Sequence, residues 1–334
     1  MNKIVILISA IFVTGTIWAQ QSGGVEQFTI QNFPTATSSS ANVIPLVMEK
    51  HISNTETNIV DIEVETLKNI VYVNRDGTEL HLHVLYPKRT VSSLPCIVYI
   101  QGSAWMRQDL ELNIPNLIRV AANGYVVVSV EYRPSSIGKF PSQVQDAKTA
   151  IRFMRKNAIQ YHVDTNNIFI WGGSSGGHTA MFVGFTQGNK DIDTDDYNEF
   201  SDKVNAVINF FGPSELVKMC DYPSILNHAL ATSPEGLLIG GSVFENPELA
   251  RKASPVYYIT RDAVPVFIAH GDRDMTVPLN QSDLVTEELD KAGVEYEYYC
   301  LIGAEHGTWE FWTNEMLKKM LAFIRKYTIK NNDI

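Results

Sequence analysis

A chain of 334 residues, 45% of them hydrophobic, has room for one large α/β domain or two small ones around a sizeable core. The formal net charge of -10 speaks against nucleic acid or an anionic membrane surface as a partner. Cys96, Cys220 and Cys300 allow at most one disulfide in an exported chain, and their spacing fits neither a zinc site nor a catalytic thiol.

The N-terminus has the pattern of a secretory signal. Lys3 is its lone charge, and an apolar run follows from Ile4 to Trp18, broken by Thr14, Gly15 and Thr16. Ile17-Trp18-Ala19 puts a small residue at a cut before Gln20. The run is too short for a good membrane span, and with no cysteine near the cut a lipid anchor is not expected. Residues 1–19 therefore read as a signal peptide and the mature chain as exported, periplasmic or secreted. Residues 20–60 lack periodicity and read as an N-terminal extension, in which Thr35-Ala36-Thr37-Ser38-Ser39-Ser40-Ala41 resembles a flexible linker. A single domain is expected over 61–334.

Strands are predicted at Asn69–Val73 and Leu80–Tyr86, joined by the turn residues Asn74-Arg75-Asp76-Gly77. Cys96–Ile100 is apolar throughout, as a strand covered on both faces would be, and Cys96 and Cys300 are expected as buried free thiols. Further strands follow at Tyr125–Tyr132, Asn167–Trp171, Val204–Phe211, Val264–Ala269 and Tyr296–Leu301. Helices alternate with them. Pro141–Lys156 places Val144, Ala147, Ala150, Ile151 and Met154 on one face. Leu284–Ala292 stops at Gly293, and Thr308–Tyr327 carries an apolar stripe from Trp309 to Phe323. The fold class is α/β, a mostly parallel sheet of about eight strands with helices on both faces. The segment 212–254 breaks the rhythm with four prolines and reads equally as a lid or as a surface excursion.

The run Ile168-Phe169-Ile170-Trp171 ends abruptly in Gly172-Gly173-Ser174-Ser175-Gly176-Gly177-His178. A serine on a sharp strand-to-helix turn with small residues two before and two after it is the nucleophile elbow of α/β-hydrolases. Ser174 and Ser175 both fit Gly-x-Ser-x-Gly. Ser174 is preferred because the residue three after it is also glycine, whereas for Ser175 that position is His178. A serine hydroxyl needs a base to take its proton and a carboxylate to orient that base. In the chain order Ser, acid, His, the acid falls in the loop after Val264–Ala269. Asp274 is favoured over Asp272 because Thr276-Val277-Pro278 turns the chain back and leaves Asp274 on the loop's far side. The base is His306, in the small-residue loop Ile302–Gly307. His51, His81, His83, His162, His178, His228 and His270 are expected to serve other purposes. The oxyanion would be held by the backbone amides of Ser175 and of Ser103 and Ala104, in the loop after Cys96–Ile100. Trp105, next in that loop, offers a flat wall for a sugar or aromatic group, while Trp309 is read as core packing.

From about Asn69 onward the chain resembles secreted bacterial carbohydrate esterases of the acetyl-xylan and feruloyl type, related to the hormone-sensitive-lipase group. The segments that carry the likeness are Gln101–Trp105, Glu131-Tyr132-Arg133-Pro134, Phe140–Asp146, the elbow through His178, Phe211-Gly212-Pro213, Ala253-Ser254-Pro255, Gly271–Pro278 and Gly303–Gly307. The resemblance implies a single α/β-hydrolase domain and a serine esterase acting on small or carbohydrate esters, without metal or organic cofactor. A prolyl-oligopeptidase-like exopeptidase and a non-catalytic binding protein on the same scaffold are the alternatives. One departure stands out. Where the family reads His-Gly-Gly-Gly-Trp, this chain has Gln101-Gly102-Ser103-Ala104-Trp105. The added Cβ atoms would restrict the loop and narrow the acyl side of the site.

Overall fold

The computed structural model describes residues 16–21, 24–29, 35–48 and 63–330. The chain divides into two units, Met1–Thr35 and Ala36–Ile334. In the first, β1 (Thr16–Gln21) and β2 (Gly24–Thr29) pair antiparallel, with Thr16 opposite Thr29. Of the expected signal segment, residues 1–15 lie outside the described residues; 49–62, with His51, do as well.

The second unit is built on nine strands: β3 (Val43–Leu46), β4 (Val64–Arg75), β5 (Thr78–Pro87), β6 (Leu94–Ile100), β7 (Val126–Val130), β8 (Val163–Gly173), β9 (Val207–Phe210), β10 (Val266–Gly271) and β11 (Tyr296–Leu301). Their order is β3-β11-β10-β9-β8-β6-β7-β5-β4. All pairings from β3 to β7 are parallel; β5 and β4 close the far edge antiparallel. β6 lies between β7 and β8, and its alternate residues feed two separate cores. Cys96, Val98 and Ile100 pack with α2 (Ser142–Lys156), α3 (Ser175–Phe185) and α6 (Asn280–Ala292). Ile97 and Tyr99 pack with α1 (Ile114–Ala121) and α7 (Asn314–Lys326) on the opposite face. A strand buried on both sides cannot alternate apolar with polar, which is why Cys96–Ile100 is apolar throughout. This is the α/β-hydrolase architecture.

Two expectations change. From Ala36 on, the expected linker is docked, not free: the Ala36 amide donates to the Asp272 carbonyl at 2.8 Å, and Asp283 accepts from the Ser38 hydroxyl and the Ser39 amide at 2.5 and 2.8 Å. It leads into β3, the ninth strand. The final helix is broken, with a 3-10 turn at Trp309–Trp312 and then α7, whose first turn is capped by the Thr313 hydroxyl accepting from the Met316 amide at 3.2 Å. The insertion after β9 is folded, with short helices α4 (Pro234–Ile239) and α5 (Pro247–Lys252), and it packs Leu216, Leu238, Ile239, Val243, Ala250 and Ala253 around Trp105. Cys96, Cys220 and Cys300 are free thiols; burial pushes those of Cys96 and Cys300 up to about 12. Among the described residues no helix is long and apolar enough to cross a membrane.

Candidate active site

The loops that follow β6, β8, β10 and β11 gather at the carboxyl ends of the parallel strands, where open α/β sheets place their ligands. Between β8 and α3 the chain reverses at Ser174, which sits at φ 54°, ψ -130°. The turn leaves no room for side chains at the flanking positions. A Cβ on Gly172 would lie 2.1 Å from the Gly176 carbonyl oxygen, and one on Gly176 would lie 2.0 Å from that of Ile100. These two glycines stand two before and two after Ser174, so the turn is framed on Ser174. Ser175 is the first residue of α3, and its side chain is buried. The Ser174 amide donates to the Phe210 carbonyl at 2.9 Å, tying the elbow to the end of β9.

The structure brings Ser174, His306 and Asp274 together. His306 Nδ1 is 2.7 Å from Asp274 Oδ2, and its Nε2 is 3.0 Å from Ser174 Oγ. An ionised carboxylate only accepts, so Nδ1 carries the proton and Nε2 is left to accept from the serine hydroxyl. Ser174 and His306 are partly exposed, whereas the Asp274 side chain is buried. Burial alone would raise the Asp274 carboxyl; the His306 and His270 imidazoles outweigh it and hold the group well below the usual carboxylate range. Its other oxygen, Oδ1, accepts from the Thr276 and Val277 amides at 2.9 and 2.8 Å. Asp272, the alternative acid, plays a different part. It accepts from the Gly303 amide at 2.6 Å and so fixes the turn that leads to His306.

Two supporting residues escaped the sequence reasoning. His270, expected as structural at a strand end, donates from Nε2 to the Val277 carbonyl at 2.9 Å, and that nitrogen also stands 3.3 Å from Asp274 Oδ2. Its position one residue before Gly271 at the end of β10 was the available signal. Phe211 adopts φ 42°, and its ring packs edge-on against the His306 imidazole at 4.7 Å between centroids. The sequence carries no signal for that contact.

The loop after β6 departs from expectation in two ways. The Ser103 amide is already engaged, donating to Ser175 Oγ at 2.9 Å. Among the described residues the amides of Ala104 and Ser175 have no acceptor, so two of the three expected donors are open. Trp105 is not a substrate wall. It is 1% exposed and lies under the insertion, its Nε1 donating to His178 Nδ1 at 3.3 Å. Ala104 and Trp105 both adopt φ 54°, which turns the indole inward. Left-handed backbone at L-residues costs roughly 1–2 kcal/mol each, and four such residues, Ala104, Trp105, Ser174 and Phe211, surround this site. Trp309, read as core packing, is 42% exposed.

The insertion is tied to the acid loop. The Ile225 amide and the Ser224 hydroxyl both donate to the Met275 carbonyl at 2.8 Å, and a buried His228–Glu235 pair stands behind Ser224. Tyr222, Ile225 and Leu230 on this segment are exposed.

The BD-FAE family matches residues 82–289, a span that includes Ser174 and Asp274. Among curated proteins, the esterase LipC of Mycobacterium tuberculosis is 28% identical over 215 residues, which are 64% of this chain and 53% of that protein. The isoprenylcysteine alpha-carbonyl methylesterase ICME of Arabidopsis thaliana is 24% identical over 247 residues, 72% of this chain and 56% of that one. The chain spans about half the length of the curated relatives it matches. Among solved structures, a truncated carbohydrate esterase from gut microbiota aligns with a TM-score of 0.72 at 30% identity, covering 79% of this chain and 96% of that one. A bifunctional GH43-CE protein of Bacteroides eggerthii aligns with a TM-score of 0.72 at 32% identity, covering 79% and 38%. With a family match running through the elbow and the acid loop, and the same sheet beneath them, this chain belongs to the BD-FAE family.

Proposed function

We propose that the protein is an exported serine esterase that removes small acyl groups, acetyl first, from carbohydrate. The observation that carries this reading is the unbroken relay from Ser174 Oγ through His306 to Asp274, at 3.0 and 2.7 Å, beside two open amides. His306 Nε2 takes the Ser174 proton as the oxygen attacks the ester carbonyl. The oxyanion that forms is held by the Ala104 and Ser175 amides, each such donor contributing about 2.7–4 kcal/mol to lowering the barrier. His306 then protonates the leaving sugar oxygen. Water, activated by the same imidazole, releases the acid and restores Ser174. Asp274 fixes the imidazole tautomer and stabilises its charged form.

The aligned carbohydrate esterase from gut microbiota supports the sugar alcohol, and the Cβ atoms of Ser103 and Ala104 support a small acyl group. Export follows from the pattern of residues 1–19; N-terminal sequencing of protein recovered outside the cytoplasm should begin at Gln20. The decisive experiment is a panel of acetyl, butyryl and feruloyl esters on sugars and simple alcohols, run with Ser174→Ala. Acetylated sugars should be turned over best, and the variant should lose about 10⁴–10⁶ of kcat. A fluorophosphonate adduct should form on Ser174. Near-native hydrolysis by the variant would reject the assignment. The absence of any adduct would favour a silent binding scaffold, and cleavage of aminoacyl amides in preference to esters would favour an exopeptidase.

A further inference from the structure

The loop Gln101–Trp105 presents a physical problem. Glycine would adopt its left-handed turns freely, yet this chain places Ala104 and Trp105 there, both at φ 54°. A strained loop that must aim an amide at a reacting oxygen needs something to hold it. Resting on the esterase reading, we infer that the Ser175 side chain is a positioning residue for the oxyanion loop, fastening it to the helix that supplies the second oxyanion donor.

The hydrogen bonds form a consistent directional ring. The Ser103 amide donates to Ser175 Oγ at 2.9 Å. The Ser175 hydroxyl faces Tyr132 Oη at 3.4 Å, and the Tyr132 hydroxyl stands 2.9 Å from Ser103 Oγ and 3.2 Å from the Gln101 carbonyl. The Ser103 hydroxyl in turn donates to the Met106 carbonyl at 2.7 Å. With the Ser103 proton on the Met106 carbonyl, the single Tyr132 proton goes to Ser103 Oγ and the Gln101 carbonyl is left as a longer contact, so each hydroxyl donates once and accepts at least once. Tyr132 is held from behind, its amide donating to Gln108 Oε1 at 2.9 Å, and the far end of the loop is pinned by the Ser135 amide donating to the Trp105 carbonyl at 2.7 Å. Burial keeps the Tyr132 phenol protonated, so it remains a donor.

The consequence lies at the oxyanion. Ser175 faces the site with its amide and the loop with its hydroxyl. The hydroxyl removes the Ser103 amide from the set of free donors, and it sets the distance between the two that remain, Ala104 N–H and Ser175 N–H. The serines at 103 and 175 therefore act as a pair, and the loss of glycine from the loop is offset by a tether. Gly102 lies at the crossing point: a Cβ there would be 2.5 Å from the Gly173 carbonyl oxygen, so loop and elbow are already in contact.

The test uses the full protein with acetylated sugar as substrate, comparing Ser175→Ala and Tyr132→Phe with wild type. Ser175→Ala should lower kcat by about 10- to 100-fold, a fraction of what loss of a whole oxyanion donor costs. KM should stay within about threefold, because the tether acts on the transition state rather than on ground-state binding. Affinity for a trifluoromethyl ketone, which forms an oxyanion on the serine, should fall by the same factor as kcat. Tyr132→Phe should move both quantities in the same direction by a smaller factor. Equal or higher kcat in Ser175→Ala, as when a freed Ser103 amide joins the oxyanion, overturns the inference. So does a loss confined to KM. If Ser175→Ala does not fold, Tyr132→Phe carries the same comparison, and an unchanged kcat and inhibitor affinity there count against the ring. A fluorophosphonate adduct mapped to Ser174 in wild type and in Ser175→Ala keeps the two readings apart: no adduct in wild type removes the esterase, whereas an adduct with unaltered kinetics removes only the tether.

Discussion

Asp274 has both oxygens occupied before any substrate arrives. Oδ1 accepts two backbone amides and Oδ2 meets His306. A carboxylate held this way cannot rotate, and its hydrogen bonds favour the charged form. Asp274→Asn keeps the shape but offers an amide that can force the wrong imidazole tautomer, so kcat should fall about 10⁴-fold. Asp272→Asn should keep kcat within about tenfold of wild type, since Asp272 reaches only the Gly303 amide, a bond with a net contribution on the order of 1 kcal/mol. Measuring kcat and Tm for both variants checks the pair; an inactive Asp272→Asn beside a near-native Asp274→Asn would reverse the choice of acid. At this scale the sequence was informative where chemistry demands spacing. Ser174 and Ser175 both have the glycines two residues away on each side that the turn requires, and Ser174 could be told from Ser175 because the residue three after it is also glycine, whereas for Ser175 that position is His178. Trp105 was misread because nothing in Ala104-Trp105 announces two left-handed residues in succession, and that backbone decides which way the indole faces.

The elements most easily read were those whose pattern reflects a fixed environment. β6 is apolar on both faces because helices cover both, and α2 shows a helical stripe because one face meets the sheet. β3 was not legible: Val43-Ile44-Pro45-Leu46 is short, contains a proline, and lies at the sheet's edge where no alternation is enforced. α1 is eight residues long, too short for periodicity to stand out. The approach to β3 looked like a linker because Ser38, Ser39 and Ser40 are small and polar; the partner of Ser38 and Ser39, Asp283, is 245 and 244 residues away on α6. A contact of that separation leaves no local trace. Because Asp283 accepts from three donors, Asp283→Ala should cost about 1–3 kcal/mol by leaving them without it. It should also release the segment before β3. Urea midpoints, with limited proteolysis cutting earliest between residues 36 and 42, check this. Unchanged proteolysis in the variant would mean that β3 alone holds the segment.

Across the whole of the larger unit, His178 joins three parts that meet behind the site. It lies on α3, accepts from Trp105 of the loop after β6, and donates from Nε2 to the Ala253 carbonyl of the insertion at 2.8 Å. Both ring nitrogens are used by the neutral form, and burial depresses the imidazole to about 4 despite the opposing pull of the Ala253 carbonyl. In the unfolded chain the same group titrates near 6.5. Between those values the unfolded state binds a proton that the folded state refuses, so the fold should lose stability as pH falls from about 6.5 to about 4, by roughly 3 kcal/mol in all. Above pH 6.5 the group is neutral in both states and contributes no slope. His178→Gln retains an amide donor for Ala253 but has no proton to gain. It should start less stable at pH 7.5, because the ring's packing against Trp105 and Phe182 is lost, and then fall less than wild type on acidification. Urea unfolding at pH 7.5, 5.5 and 4.5 measures the difference directly. Other acid-sensitive groups move both proteins alike, so parallel curves would show that His178 does not link the insertion, the loop and the elbow to pH in this way.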